Sequence, residues 1–367
     1  MTAFLNFEST IVASINCPTC PQKVYTPKAD ANLTRVANYT YVSPFRTGVN
    51  FEYEGLEVVD TFCIPTVDDY LCTTDAPDQT DDDFTIIVLN KYLKDYASPP
   101  QFGGILGLTP SPKNDYTLGS YYKRMRLSDS NTLTITPKNG GGYRLNYGKV
   151  ASSENVTWIN FTRSNYTGLW QMPFTEVNIS DFTIFSNTTR PVRAIVANTY
   201  PYILYETASN ATAWAFRDYL TTTYGTNITI NNDTQSGTNY SVISGTFIDD
   251  CADIKTWYGE SFKNLTFDTN KNQQDGRVLH VKFDKLLIEL IPGKCEFGLY
   301  LVYDPNFMSE KFIFGTKFMT SYQSLSFNYD DHKLGLKGYI TNSTKYIPPP
   351  KPNPTPENPG DSGNNNG

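Results

Sequence analysis

The sequence predicts an all-β protein in two lobes with few, short helices. Three observations carry this expectation. Aromatic residues make up 14% of the 367-residue chain, with 26 Tyr and 22 Phe, and Thr, Val and Ile are plentiful, a composition that suits strands. Strand-like runs bounded by turn residues recur through most of the sequence, and only one segment shows helical spacing. The length allows two domains, or two lobes of one.

In chain order, the strand-like runs are Leu133 to Thr136, Tyr143 to Tyr147 after Gly140-Gly141-Gly142, Phe182 to Phe185, Arg193 to Val196 and Val242 to Phe247. They continue with Val278 to Phe283, Leu286 to Ile291, Gly298 to Tyr303 and Ser324 to Tyr329, each flanked by turn signals. The one predicted helix is Ala208 to Thr223, where Ala211, Trp214, Ala215, Tyr219 and Leu220 recur at helical spacing. No repeat of 20 to 50 residues is visible. The acidic run Asp81-Asp82-Asp83 reads as a solvated loop, because the alternating oxygen ligands of a calcium loop are missing. From Ile347 to Gly367 the chain is Pro, Asn and Gly with a few charges, a linker or tail without material for a core.

Charge removes two classes of partner. The formal net charge of -7 comes with no Lys/Arg cluster, so neither nucleic acid nor an anionic membrane surface is an expected partner. No apolar run approaches the roughly 20 residues that span a bilayer.

Thirteen Asn-x-Ser/Thr triplets place the chain in a secretory compartment: Asn32, Asn38, Asn155, Asn160, Asn165, Asn178, Asn187, Asn210, Asn227, Asn232, Asn239, Asn264 and Asn342. The six cysteines fall as Cys17/Cys20, Cys63/Cys72 and Cys251/Cys295, close enough for three local bridges, although 15 connectivities are formally open. A secreted, disulfide-bonded glycoprotein follows as the expectation. Met1 to Ile15 lacks a basic n-region and is interrupted by Asn6, Glu8, Ser9 and Thr10, so it is a poor signal peptide. The expected beginning of the first lobe therefore lies upstream, or the chain is trimmed.

Several segments together resemble the pepsin-like aspartic proteases of eukaryotes, from Phe4 to Tyr339. Gly104-Ile105-Leu106-Gly107-Leu108 is similar to the glycine-bearing strand that threads the first-lobe ψ-loop, and Ile313-Phe314-Gly315 to its second-lobe counterpart. A backbone crossing beneath the catalytic loop leaves no room for a Cβ, which is why glycine is expected there. Phe312 to Tyr322, Phe327-Asn328-Tyr329-Asp330 and Lys333-Leu334-Gly335-Leu336 resemble the family's closing strand, turn and strand. Gly141 to Leu145 with Gly148, Trp158, and Gly168-Leu169-Trp170-Gln171 are similar to the passage between lobes. Cys251 and Cys295, flanking a predicted hairpin, match the second-lobe disulfide, and Asp60-Thr61-Phe62-Cys63 with Cys72 resembles a bridged loop after the flap. The resemblance implies an N-terminal lobe at 1–166, a C-terminal lobe at 167–346 and the tail at 347–367.

Such an enzyme needs two carboxylates sharing one proton, one in each Asp-Thr/Ser-Gly turn. Ala194-Ile195-Val196 matches the strand leading into the second turn, so Ala197 stands at the aspartate position; a shift of one puts Asn198 there, an amide that cannot act as a base. In the first lobe Leu5, Asn6 and Phe7 fall in the triplet, Leu5 at the acid position, with Glu8 the nearest carboxylate. Asp60-Thr61-Phe62 has Phe where the turn needs Gly, and Asn38 to Gly55 lacks the flap's Tyr-Gly-x-Gly pattern. His280 and His332 are the only histidines, which leaves no His/Cys metal site, and no cofactor is implied. Cys17-Pro18-Thr19-Cys20 reads as a structural bridge in preference to a redox pair.

The expected function is thus a secreted N-glycosylated protein with an aspartic protease scaffold and no peptidase activity, a binding or structural subunit of an extracellular assembly. Its expected partners are further copies of itself or another extracellular protein. The alternatives are an active endopeptidase whose catalytic turn is misread or lies upstream of Met1, and a lectin-like or inhibitor module using the old cleft.

Overall fold

The computed structural model describes residues 3–6, 12–14, 32–41, 51–61, 63–65, 70–72, 84–92, 104–110, 118–126, 129–138, 142–160, 169–197, 201–224, 228–234, 240–258, 264–271 and 275–343. The chain begins with β1 (Ala3–Asn6), β2 (Val12–Ser14), β3 (Asn32–Tyr41), β4 (Phe51–Asp60), β5 (Cys63–Pro65), β6 (Tyr70–Cys72), β7 (Phe84–Tyr92), β8 (Gly104–Gly107) and α1 (Leu118–Met125). Next come β9 (Thr132–Pro137), β10 (Tyr143–Tyr147), β11 (Thr157–Asn160), β12 (Gln171–Phe174), β13 (Glu176–Ile179), β14 (Phe182–Ser186), β15 (Val192–Val196), β16 (Ile203–Thr207) and α2 (Asn210–Tyr224). They are followed by β17 (Ile228–Thr234), β18 (Ser241–Phe247), α3 (Cys251–Tyr258), β19 (Leu265–Asp268), β20 (Arg277–Val281), α4 (Phe283–Leu286) and β21 (Leu287–Ile291). Last are β22 (Lys294–Tyr303), β23 (Lys311–Phe314), α5 (Thr316–Met319), β24 (Ser324–Asn328), β25 (Lys333–Lys337) and β26 (Ile340–Asn342).

Two of the sheets repeat one topology. The first is ordered β1-β8-β2-β7-β4-β3, and the second contains β15-β23-β16-β22-β18-β17, with β12 added outside β15 and β21 paired to β22. The pairing directions agree step by step: parallel, antiparallel, parallel, antiparallel, antiparallel in both. The long β3–β4 hairpin, where the sequence places the flap, thus corresponds to β17–β18. No sequence periodicity announces this duplication, because it is carried by strand order and not by residue identity.

A third sheet, β10-β9-β24-β25-β11, interleaves strands from the middle and the end of the chain, and a fourth runs β14-β13-β19-β20-β26. Alternation explains which face is which. In β16 the side chains of Ile203 and Tyr205 join the main core with Phe312 and Phe314, while Leu204 points to the other face with Ile313 and Val302. Tyr205 stacks on Phe312 at 4.4 Å between ring centroids, and Phe314 on Phe318 at 3.8 Å.

A buried clamp joins three distant segments. The Trp170 indole N–H donates to the Leu108 carbonyl at 2.6 Å, and the Tyr329 hydroxyl donates to the same oxygen at 3.2 Å. The Trp170 ring meets Phe327 and Tyr329 edge-on at 5.0 and 5.1 Å.

The helices correct the sequence reading. The predicted Ala208–Thr223 is α2, with Ser209 as its cap through a 3.1 Å bond from the Thr212 N–H, but α1, α3, α4 and α5 also form. Cys251 therefore opens a helix, capped by the Asp250 carboxylate on the Ala252 and Asp253 N–H groups at 2.9 Å, and the antiparallel pair β19–β20 lies between it and Cys295. Likewise Phe283 and Leu286 fall in α4, not in strands. These helices span four to eight residues, too short to show a period of 3.6. The bridges Cys63–Cys72 and Cys251–Cys295 are formed, the former between directly paired residues of β5 and β6. Cys17, Cys20, the acidic run at 81–83 and the tail lie outside the described residues. Among the described residues no helix is long and apolar enough to cross a membrane.

Candidate functional site

Each of the two matching sheets contains a strand threaded between the two arms of a loop. In the second, β23 runs parallel to β15 and antiparallel to β16. The loop joining those arms is pinned at both ends: the Ala197 N–H donates to the Phe314 carbonyl at 3.0 Å, the Gly315 N–H to Tyr202 at 3.0 Å, and the Lys317 N–H to Pro201 at 3.1 Å. In the first, β8 runs parallel to β1 and antiparallel to β2. The two ψ-loops are the places where a protease of this build would carry its acids.

Register decides which residues correspond. In the second ψ-loop Val196 pairs with Phe314, so Ala197 lies one step on, level with Gly315. In the first, Leu5 pairs with Leu106 and Asn6 with Gly107. The counterpart of Ala197 is therefore Asn6, not Leu5, a correction of one residue. The sequence count ran backward across the loop before β2, and the two loops differ in length: Val12 sits opposite Ile105, whereas Leu204 sits opposite Ile313. Asp60 ends β4, separated from β2 by β7, and stands outside the ψ-loop. Glu8, Asn198 and Thr199 lie outside the described residues.

The surroundings of Ala197 are apolar. It is fully buried in a cluster with Leu204, Tyr240, Val302 and Ile313, flanked by Tyr202, Val242, Tyr300 and Phe307. Tyr202 and Tyr300 stack at 4.0 Å, and the Tyr300 hydroxyl donates to the Glu296 carboxylate. Burial, with the hydrogen bond to Glu296 added, holds the Tyr300 phenol well above its ordinary value. Tyr202 is raised for the same first reason. Both rings therefore act as neutral donors and stacking surfaces at physiological pH. Sequence reading missed this aromatic cover; the alternation in Ile203-Leu204-Tyr205 was the available signal.

Among the described residues no group of three or more His, Cys, Asp or Glu side chains is placed to hold a metal ion. Of the sequon asparagines, Asn155, Asn160, Asn210 and Asn342 are exposed, while Asn178, Asn187 and Asn264 are partly buried. Asn32, Asn38 and Asn232 lie in strands β3 and β17. Asn165, Asn227 and Asn239 lie outside the described residues.

The crystal structure of basic 7S globulin from soybean superposes with a TM-score of 0.60, covering 92% of this chain and 89% of that one at 10% identity. The fold is the bilobal all-β fold of pepsin-like aspartic proteases. No family model matches the chain, and no curated protein matches it in sequence. At 10% identity the likeness carries architecture and leaves activity to the site itself.

Proposed function

We propose that this chain is a secreted, N-glycosylated protein that keeps the pepsin scaffold, does not cleave peptides, and works by binding an extracellular partner or as a structural subunit. One observation carries the reading. Ala197, level with the threading glycine of the second ψ-loop, has no titratable group and is sealed in an apolar cluster. The aspartic protease mechanism needs a pair of carboxylates within reach of one water and one carbonyl. A methyl group there supplies neither proton nor base, and on the other side Asn6 is an amide in the chain. The compartment rests on the thirteen sequons and on the two formed bridges, which suit an oxidising environment.

The test is hydrolysis of an unfolded protein substrate by the purified full chain from pH 2 to 7, with and without a pepstatin-type inhibitor. The expected result is no turnover above buffer and no inhibitor-dependent shift in Tm. Pepstatin-sensitive cleavage, or turnover abolished by Asp60→Asn, overturns the proposal.

A further inference from the structure

The sequons follow the sheet topology. Along their main paths the four large sheets end in eight terminal strands among the described residues, namely β1 and β3, β10 and β11, β12 and β17, and β14 and β26, and β21, paired to β22 alone, is a ninth. Five of these carry or adjoin a sequon. Asn32 opens β3 and Asn38 lies within it. Asn160 closes β11, with Asn155 two residues before it begins. Asn232 lies within β17, opposite Ile243, and Asn227 directly precedes that strand. Asn187 directly follows β14, and Asn342 closes β26, opposite Arg277. Inner strands outnumber terminal ones, yet by the same measure they hold three sequons against eight: Asn178 within β13, Asn264 directly before β19 and Asn239 two residues before β18.

A terminal strand presents a row of unpaired N–H and C=O groups that templates pairing with another chain, and proteins commonly blunt it with charge or proline. Here β3 and β17 carry both a sequon and a charged residue, Arg35 and Asp233, while the other terminal strands that have a guard have one kind only. β11 (Thr-Trp-Ile-Asn), β14 (Phe-Thr-Ile-Phe-Ser) and β26 (Ile-Thr-Asn) contain no charged residue and no proline. Of the terminal strands without a sequon, β10 carries the exposed Arg144, β12 carries Pro173 and β21 carries Glu289; β1 has neither. Where the usual guard is missing, a sequon stands in its place in three strands of four.

Side-chain geometry separates usable from unusable sequons. The Asn178 amide nitrogen, the atom that would take the sugar, donates to the Glu176 carboxylate at 2.7 Å. At Asn187 it is the oxygen that is engaged, accepting from the Thr189 N–H and hydroxyl at 3.0 Å and from the Arg190 N–H at 2.8 Å. None of these bonds uses its nitrogen.

We propose that N-linked glycans on β3, β11, β14, β17 and β26 cap the sheet edges and keep copies of this chain from pairing strand to strand. An N-glycan is bulky and hydrated, so one at the end of β11, β14 or β26, of four, five and three residues, covers most of that ladder, while the longer β3 and β17, of ten and seven residues, carry Asn38 and Asn232 within the strand. This inference rests on the secreted, glycosylated reading and gives the sugars a physical task. It also directs any partner contact away from these edges.

The experiment uses the full chain from a secreting eukaryotic cell. Mass spectrometry of glycopeptides is expected to find Asn160 and Asn187 occupied and Asn178 bare. The folded glycoprotein is then deglycosylated enzymatically, without mutation, and its size followed by light scattering against concentration. Association is expected to set in at a concentration about tenfold lower, with new amide-exchange protection in β11 and β14. A variant carrying Asn160→Lys and Thr183→Lys, which restores charge to those two strands, is expected to recover much of the original solubility after deglycosylation. A glycosylated chain whose sugar-free form associates no more than before overturns this inference and leaves the glycoprotein reading standing. A chain bare at all thirteen sequons overturns both.

Discussion

Removing both donors to the Leu108 carbonyl should cost more than the two single changes together. Leu108 is fully buried, and among the described residues its oxygen accepts from the Trp170 indole and the Tyr329 hydroxyl. Burial keeps the Tyr329 phenol well above its ordinary value, so it remains a donor throughout the useful pH range. Tyr329→Phe deletes one hydroxyl while Trp170 still satisfies the oxygen, which sets the loss at about 1 kcal/mol. Trp170→Phe deletes the other bond and leaves a void of a few tens of Å³; at about 24 cal/mol per Å³ the total is about 2 kcal/mol. In the double variant the carbonyl has no donor from either side, and an orphaned buried acceptor adds about 1 to 2 kcal/mol. The expected loss is therefore about 4 to 5 kcal/mol against a sum of about 3, beyond the additivity scatter of about 0.5. Urea unfolding of the four proteins at pH 7, followed by far-UV circular dichroism, measures all three differences. Additivity within that scatter refutes the shared-acceptor clamp.

Two further outcomes follow from burial. Tyr205 and Tyr322 are buried, and burial raises both phenols above their ordinary value, in Tyr205 with Glu310 nearby adding to it. Their folded values exceed the unfolded value of about 10, so this contribution is complete below pH 10 and is lost as pH rises above it, at about 1.4 kcal/mol per group by pH 11. Denaturant midpoints at pH 9 and 11 should therefore differ by about 3 kcal/mol in stability from these two alone, and the same pH dependence in a variant carrying Tyr205→Phe and Tyr322→Phe would contradict it. Ala197→Asp places a carboxylate among Leu204, Tyr240, Val302 and Ile313; it should destabilise by about 2 to 4 kcal/mol at pH 7 and less at pH 3, where the acid is neutral. An Asp variant as stable as the parent at both pH values would show that the cluster admits water.

Much of this architecture was legible locally. The β-rich composition, the runs that became β9, β10, β14, β15 and β18, and α2 all express periods of two or 3.6 that neighbouring residues impose on each other. The threading strands announced themselves through Gly107 and Gly315, and the sequence already set Ala197 directly after the strand that pairs with β23. The short helices were not, because four to eight residues leave no period to read.

What lay beyond the sequence depends on closure over long separations. The choice of Asn6 over Leu5 was set by the register of β1 on β8, roughly a hundred residues downstream, and a one-residue slip reverses every side chain of a strand. The meeting of Leu108 with Tyr329, 221 residues away, and the arrival of β23 between β15 and β16 are equally invisible to local pattern. So is the fact that some sequons stand on terminal strands, since a strand becomes an edge only when nothing pairs beyond it. Local chemistry chose the elements; the pairing of distant strands, where loop-closure entropy is offset only by the completed sheet, chose which residues would meet.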